Sequence, residues 1–397
     1  MSTPAQIGRP KMRVIELRFL APIVIVISFL ADVGLRLVPP ERIAFRAWEA
    51  VTLWPIADGP FTPSMVYHND RSYGDLSNLG NLPSLRVYRT EHFTTDSFGF
   101  RNTPSADNRP VRIIVVGDSF AAGSGLSDSE TLAAQLAEMS QNGVYNSGND
   151  QSWRGVEELI KTRHLINRGL VVWEISERYD LPAQGEDGES FGIRILRSLL
   201  PKNLYSPFRT AQRYALYSPL KIVMTRIFRE VQNDRWLPNV SADRLLQKRL
   251  SNGREMLFLH SEVANFGIMR PASPDFFVRV QTFIRATGNE LLVLMIPDKY
   301  NVYHPLLMES PDPPGEESPT LGELARRLRT NGVPALDLTQ VFRQQAAASL
   351  RNDQYLYWPD DTHWNPAGVK IAAQAIVNFL RESGLWQLNP ETGAGHR

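Results

Sequence analysis

The chain has 397 residues, 43% of them apolar and 21% charged, enough for a large core and for more than one domain. A net charge of +1 argues against a nucleic-acid partner held by bulk electrostatics. There is no cysteine, hence no disulfide framework and no thiolate chemistry, and the seven histidines show no metal-ligand spacing, so no metal or other cofactor is expected.

Arg9, Lys11, Arg13 and Arg18 precede an apolar run from Phe19 to Ala31. Extended to Val38, the run reaches the roughly 20 residues of a membrane span, provided Arg36 snorkels and Asp32 finds a partner. Pro39-Pro40 ends any helix. Phe29-Leu30-Ala31 is a poor cleavage site. Residues 1–40 are therefore expected as a cytoplasmic tail and an uncleaved signal anchor with its amino end inside; a buried soluble helix is the alternative. Pro55, Pro60, Pro63, Gly74, Gly80 and Pro83 break the next stretch, so residues 41–110 read as a stalk or linker with short strands, Leu85 to Phe93 among them. Arg101 either faces a crevice or pairs with a surface carboxylate.

From Val111 the pattern is regular. A strand reaches Val116 and ends at Gly117, and the turn presents Asp118, Ser119 and Phe120. Ligand crevices of open α/β sheets lie beyond the carboxyl ends of their strands, which is where Ser119 falls. Ser127-x-x-Glu130 is a capping box before a helix to about Gln141. Val144-Tyr145 predicts a strand leading to Asn146-Ser147-Gly148, Trp153 to Ile166 a helix, and Leu170 to Ile175 a third strand. Strands alternating with helices predict an α/β fold, a three-layer sandwich about a parallel sheet, with Ser119, Gly148 and Ser176 to Arg178 on one edge. Residues 181–272 read as an insertion whose Tyr205, Phe208, Tyr214 and Tyr217 either line a glycan groove or pack a helical cap. A helix from Ser273 to Thr287, a strand from Leu291 to Ile296, a helix from Thr320 to Arg329 and a strand from Ala335 to Leu338 complete a domain spanning 111–385. Residues 386–397 form a tail.

The stretch Tyr357 to Lys370 holds His363, with Asp361 and Asp360 just ahead of it. A nucleophilic serine needs a base to take its proton and a carboxylate to orient that base. Asn365 and Pro366 suit the N-cap and first position of a helix whose apolar face is Val369, Ala372, Ala373, Ile376, Val377 and Leu380. Ser119 and His363 are thus the candidate catalytic pair. His304 lacks a neighbouring carboxylate and ranks below His363. Lys299, after the fourth strand, is either a substrate contact or a solvated loop lysine.

The Gly117-Asp118-Ser119-Phe120 and Asp360-Asp361-Thr362-His363 blocks resemble the SGNH/GDSL hydrolase superfamily. Thr95 to Arg101, Ile296 to Tyr300 and Asp361-Thr362-His363-Trp364 resemble its membrane-anchored branch, which includes alginate O-acetyltransferase-like proteins of the AlgJ and AlgX type. The resemblance implies a flavodoxin-like α/β/α domain and an acetyl-serine intermediate. It also implies three oxyanion donors: the serine amide, a glycine amide after the second strand and an asparagine after the third. Gly148 stands at the second position and Gln151 where a further glycine is common. At the third there is no asparagine, and Arg178 stands nearby. Arg178, Lys299 and Trp364 are the candidate substrate contacts. Usual superfamily spacing points to Asp360 as the acid and the envelope branch to Asp361, and we favour Asp361. The expected activity is O-acetyl transfer to an envelope or extracellular polysaccharide. The alternatives are an acetylesterase of the same fold and a catalytically inactive glycan-binding module. The resemblance further implies a membrane-bound O-acyltransferase as acyl donor and a single-pass inner-membrane protein with a periplasmic domain.

Overall fold

The computed structural model describes residues 14–54, 59–103, 110–149, 153–178, 214, 217–233, 244–268, 273–309 and 319–385. In chain order they form α1 (Val14–Leu35), α2 (Pro40–Ile43), α3 (Ala47–Val51), β1 (Val66–Ser72), α4 (Asp75–Leu79) and β2 (Arg89–Thr94). Next come β3 (Val111–Gly117), α5 (Ser119–Ala122), α6 (Leu132–Ser140), β4 (Gly143–Gly148), α7 (Trp153–Glu157) and β5 (Leu170–Ser176). The remainder is α8 (Pro219–Asn233), β6 (Leu245–Arg249), β7 (Glu255–Leu259), α9 (His260–Asn265), α10 (Asp275–Ala286), β8 (Glu290–Ile296), α11 (Lys299–Tyr303), α12 (Pro319–Thr330), β9 (Ala335–Asp337), α13 (Thr339–Leu350) and α14 (Pro366–Ser383).

The centre is a five-stranded parallel sheet in the order β4-β3-β5-β8-β9. Its inner strands are largely apolar because both faces are covered. Ile113 and Val115 of β3 pack with α6, α13 and α14 in one core; Ile114 and Val116 pack with α10 and α12 in the other. This is the mixed α/β architecture expected from the strand–helix alternation. The capping box at Ser127 and Glu130 is present, and Asn365 caps α14 by accepting from the Ala367 and Gly368 amides. The expected helix from Trp153 to Ile166 is shorter: α7 gives way to a π turn over Glu158–Thr162, and His164 and Arg168 adopt positive φ. α13, unforeseen, fills the gap between β9 and the histidine loop.

Three expectations need revision. First, the run from Phe19 to Val38 does not continue as a span to Val38. α1 ends at Leu35, and Asp32 and Arg36 are buried against the rest of the chain. Arg36 ion-pairs with Asp32 at 3.0 Å and donates to the Leu53, Tyr214 and Tyr217 carbonyls. Among the described residues no helix is long and apolar enough to cross a membrane. Second, residues 41–54 and 59–103 pack onto the sheet domain. β1 and β2 form an antiparallel hairpin, and Ala44, Val51, Phe61, Tyr67 and Phe93 share a core with Ala122, just beyond Ser119. Third, the described part of the insertion contains an antiparallel hairpin, β6–β7, besides helices. Tyr205 and Phe208 lie outside the described residues.

Candidate active site

The site forms at the carboxyl ends of β3, β4, β5 and β8. After Gly117, the Asp118 carboxylate accepts from the Phe120 amide at 2.7 Å and so caps the short α5, while Ser176 at the end of β5 donates to its other oxygen at 2.7 Å. Gly123 closes α5 at φ +80°, a left-handed position that favours glycine. Arg101 is buried and donates to the Gly123 and Leu126 carbonyls and to Asp128. It braces the turn after Ser119, which settles its alternatives in favour of a structural carboxylate partner.

Ser119 Oγ lies 2.7 Å from His363 Nε2, and His363 Nδ1 lies 2.7 Å from Asp361 Oδ1. With a carboxylate accepting at Nδ1, the neutral imidazole carries its proton there and offers Nε2 as a base. Phe120 packs against the imidazole with ring centroids 4.9 Å apart. His363 and Asp361 are buried.

The two aspartates differ in their surroundings. Asp360 Oδ2 accepts from the Gly74 amide (2.7 Å), the Val87 amide (2.9 Å) and Ser77 Oγ (3.0 Å), and Oδ1 accepts from Arg89 (3.1 Å). No contact links it to His363, so it serves as an anchor for residues 74–89. Asp361 Oδ2 accepts from Arg89 Nη2 at 2.7 Å and from the Asp75 amide at 3.1 Å, with Arg46 at 3.7 Å. Burial pushes the Asp361 carboxyl up, but its hydrogen bond to His363, the charge of His363 and those of Arg89 and Arg46 outweigh burial and hold it well below the usual range. Asp75 accepts from the Thr362 amide at 2.9 Å and its hydroxyl at 2.7 Å.

Arg46, Asp75 and Arg89 come from the stretch read as a stalk, and sequence reasoning missed them. Asp75, Asp361 and His363 each offer one donor atom within 4.8 Å of one another. That is an ion-pair cluster and not a metal cage, because two guanidinium groups already neutralise the carboxylates and Nδ1 is committed to Asp361.

Residues 268–395 match the SGNH hydrolase-like domain of the acetyltransferase AlgX. This part of the chain is similar to an SGNH hydrolase-like domain. The matched stretch contains Asp361 and His363, and the fold brings Ser119, 244 residues before the histidine, to the same point. The match supports a family of acetyltransferases and esterases. No curated protein matches the chain closely. The crystal structure of the protein YXIM from Bacillus subtilis is similar at 14% identity, over 76% of this chain and 68% of that chain. Its TM-score is 0.32.

Several expected contacts of the SGNH domain take other places. Lys299 is fully buried, and its ammonium donates to the Trp358, Pro359 and Asp361 carbonyls at 2.9, 3.1 and 2.9 Å. Neither sequence alternative holds: it is a pin through the histidine loop, and burial lowers its pKa to about 8. Trp364 is fully buried, edge-on to Phe120 at 5.5 Å, and belongs to the core and not to a substrate surface. The Gly148 amide donates to Asn146 Oδ1 at 2.8 Å, so it is already engaged; a side chain there would collide with the Ala122 backbone nitrogen. Glycine at 148 lets β4 approach α5. Gln151 lies outside the described residues.

Arg178 does stand in the site. It donates to the Thr362 carbonyl at 3.0 Å, ion-pairs with buried Glu262 of α9 at 3.2 Å, and lies 5.4 Å from the Phe120 ring centroid. Beneath Ser119, Glu174 of β5 accepts from the Asp118 amide at 2.9 Å. Burial first, and then the Asp118 charge, push the Glu174 carboxyl well up. His304 is buried among the Phe266 and Tyr300 rings.

Proposed function

We propose that the protein is an SGNH-type serine O-acyl ester enzyme, an O-acetyltransferase that acts on an envelope or extracellular polysaccharide through an acetyl-serine. The observation that carries this reading is the hydrogen-bonded series Ser119–His363–Asp361 at the strand ends of an AlgX-type domain. His363 Nε2 takes the Ser119 proton as Oγ attacks the acetyl carbonyl. The tetrahedral oxyanion collapses, the donor oxygen leaves with the proton from His363, and acetyl-Ser119 remains. His363 then takes the proton of an acceptor hydroxyl, which attacks the acetyl-serine and leaves as the acetyl ester, returning the proton to Ser119. Asp361 holds Nδ1–H and offsets the imidazolium charge. In this reading the Ser119 amide serves the oxyanion, and Arg178, held beside the histidine loop by the Thr362 carbonyl and Glu262, serves the oxyanion or an acidic sugar.

The wider reading has a membrane-bound O-acyltransferase as donor and a single N-terminal anchor, with the enzyme on the far side of the inner membrane. It is supported by the basic residues 9–18 and by the exposed Leu20, Ile23 to Ile27, Phe29 and Leu30 of α1. If water is the acceptor, the same machinery is an esterase. The test is intact-mass analysis of the full chain after brief exposure to an activated acetyl ester, beside Ser119→Ala. An acetyl adduct on wild type alone, discharged faster by an oligosaccharide that gains the acetyl, is the expected result. Discharge to water only identifies an esterase. An adduct on both proteins, or binding of polysaccharide with no adduct and no turnover, refutes a serine enzyme.

A further inference from the structure

α8 places an apolar stripe on the outside of the molecule. Met224, Ile227, Phe228 and Val231 recur at the spacing of one helix face and are 42% to 55% exposed. Lys221 heads the same face, Arg226 and Arg229 lie on the opposite one, and Glu230 is the one acid of the helix.

The start of this helix is tied to α1. Ser218 donates to Asp32 Oδ1, the Leu220 amide lies 3.3 Å from the same oxygen, and Ser218 Oγ in turn accepts from the Lys221 amide at 3.1 Å. Arg36 binds the Tyr214 and Tyr217 carbonyls, and its guanidinium stacks 3.6 Å over the Tyr214 ring. Asp32 lies one turn beyond the exposed apolar residues of α1. Those residues, Leu20, Ile23 to Ile27, Phe29 and Leu30, are consecutive or nearly so and point all round the helix, a pattern that water does not favour. The far part of α8 is held on the domain, where the Arg229 carbonyl accepts from Asn81 at 3.2 Å.

We infer that the stripe Met224-Ile227-Phe228-Val231 is a second membrane contact, an interfacial helix seated in an anionic lipid surface beside the exit of α1. The inference rests on α1 being inserted in lipid. Given that, the Asp32–Arg36 cluster sits at the headgroup level, and α8 starts from that level with an apolar stripe and a cationic opposite face, the division of an interfacial helix. The contact fixes how the sheet domain stands on the membrane, which a single flexible tether does not do.

The absence of cysteine makes the test clean, since one introduced thiol is unique. Met224→Cys, Phe228→Cys, Arg226→Cys and Ile25→Cys are made in the full chain and each is labelled with an environment-sensitive fluorophore. The proteins are reconstituted in phosphatidylglycerol–phosphatidylethanolamine vesicles carrying lipid-attached quenchers at shallow or deep positions. Shallow quenching several-fold stronger at 224 and 228 than at 226, with deep quenching at 25, is the expected result. If 25 is deeply quenched while 224 and 228 are as open to an aqueous quencher as 226, α1 is an anchor and the interfacial contact is refuted. If all four are open to water, the anchor itself fails and the contact with it. If 224 and 228 escape both quenchers, protein covers the stripe and the lipid assignment is overturned.

Discussion

Adjacent aspartates with separable roles give the sharpest test of the site. We expect Asp361→Asn to lose catalysis and Asp360→Asn to lose stability. In Asp361→Asn the amide cannot satisfy both neighbours. With its oxygen toward His363, its NH2 faces Arg89 Nη2, now 2.7 Å from the carboxylate; turned over, its NH2 faces Nδ1 and favours the wrong imidazole tautomer. Loss of the orienting acid in a serine–histidine system costs on the order of 10⁴ in kcat, or roughly 5 kcal/mol of barrier. In Asp360→Asn the oxygen keeps its bonds to the Gly74 and Val87 amides and to Ser77, but the NH2 meets Arg89 Nη1. One charge-assisted bond is lost, about 1.5–3 kcal/mol of stability, and acylation stays within roughly tenfold. The assay pairs the rate of acetyl-serine formation from an activated ester with urea unfolding of the same samples. Equal activity losses with unchanged stability, or a greater acylation defect in Asp360→Asn, would refute the assignment.

Other outcomes follow from the same contacts. Lys299→Met leaves three loop carbonyls without their donor and should destabilise by about 1–3 kcal/mol for each one left unsatisfied, read by urea unfolding. The Lys299 pKa of about 8 lies below the ordinary 10.5, so between those values the unfolded chain binds more protons and this group makes stability rise with pH. The wild type should therefore show an upward slope between pH 8 and 10.5, relative to Lys299→Met, of at most about 1.4 kcal/mol per pH unit; no difference in slope would contradict the lowered pKa of Lys299. Gly148→Ala forces β4 off α5 and should cost about 1–3 kcal/mol while slowing acylation, since α5 begins with Ser119. Because burial and the Asp118 charge both disfavour an ionised Glu174, Glu174→Gln should remain within about 1 kcal/mol of wild type at pH 7; a loss several times larger in chemical denaturation would contradict that.

The sequence carried the sheet and the two reacting residues because both are local signals. Ile113 to Val116 is an unbroken apolar run ending at Gly117, and His363 stands beside its acid just ahead of a capped helix. The supporting residues carried no such signal. Arg46, Asp75 and Arg89 lie in a segment broken by proline and glycine, and Arg89 meets Asp361 across 272 residues of chain. Nothing periodic announces such a contact. Lys299 and Trp364 were misread for a related reason. A loop lysine is ordinarily solvated, and only the three converging carbonyls make burial tolerable. A tryptophan beside a base reads as a sugar platform until Phe120 and Phe342 are found packed against it.

The wide separation of Ser119 from His363 has a consequence for biogenesis. A ribosome delivers Ser119 well before His363, and loop closure over 244 residues must be completed before the two meet. Arg89 waits still longer for its aspartate. Until the C-terminal helix Pro366–Ser383 has docked, Ser119 is an ordinary alcohol. On the proposed function, a partly folded chain is expected to be inert toward acyl esters, with reactivity a late property of the finished domain.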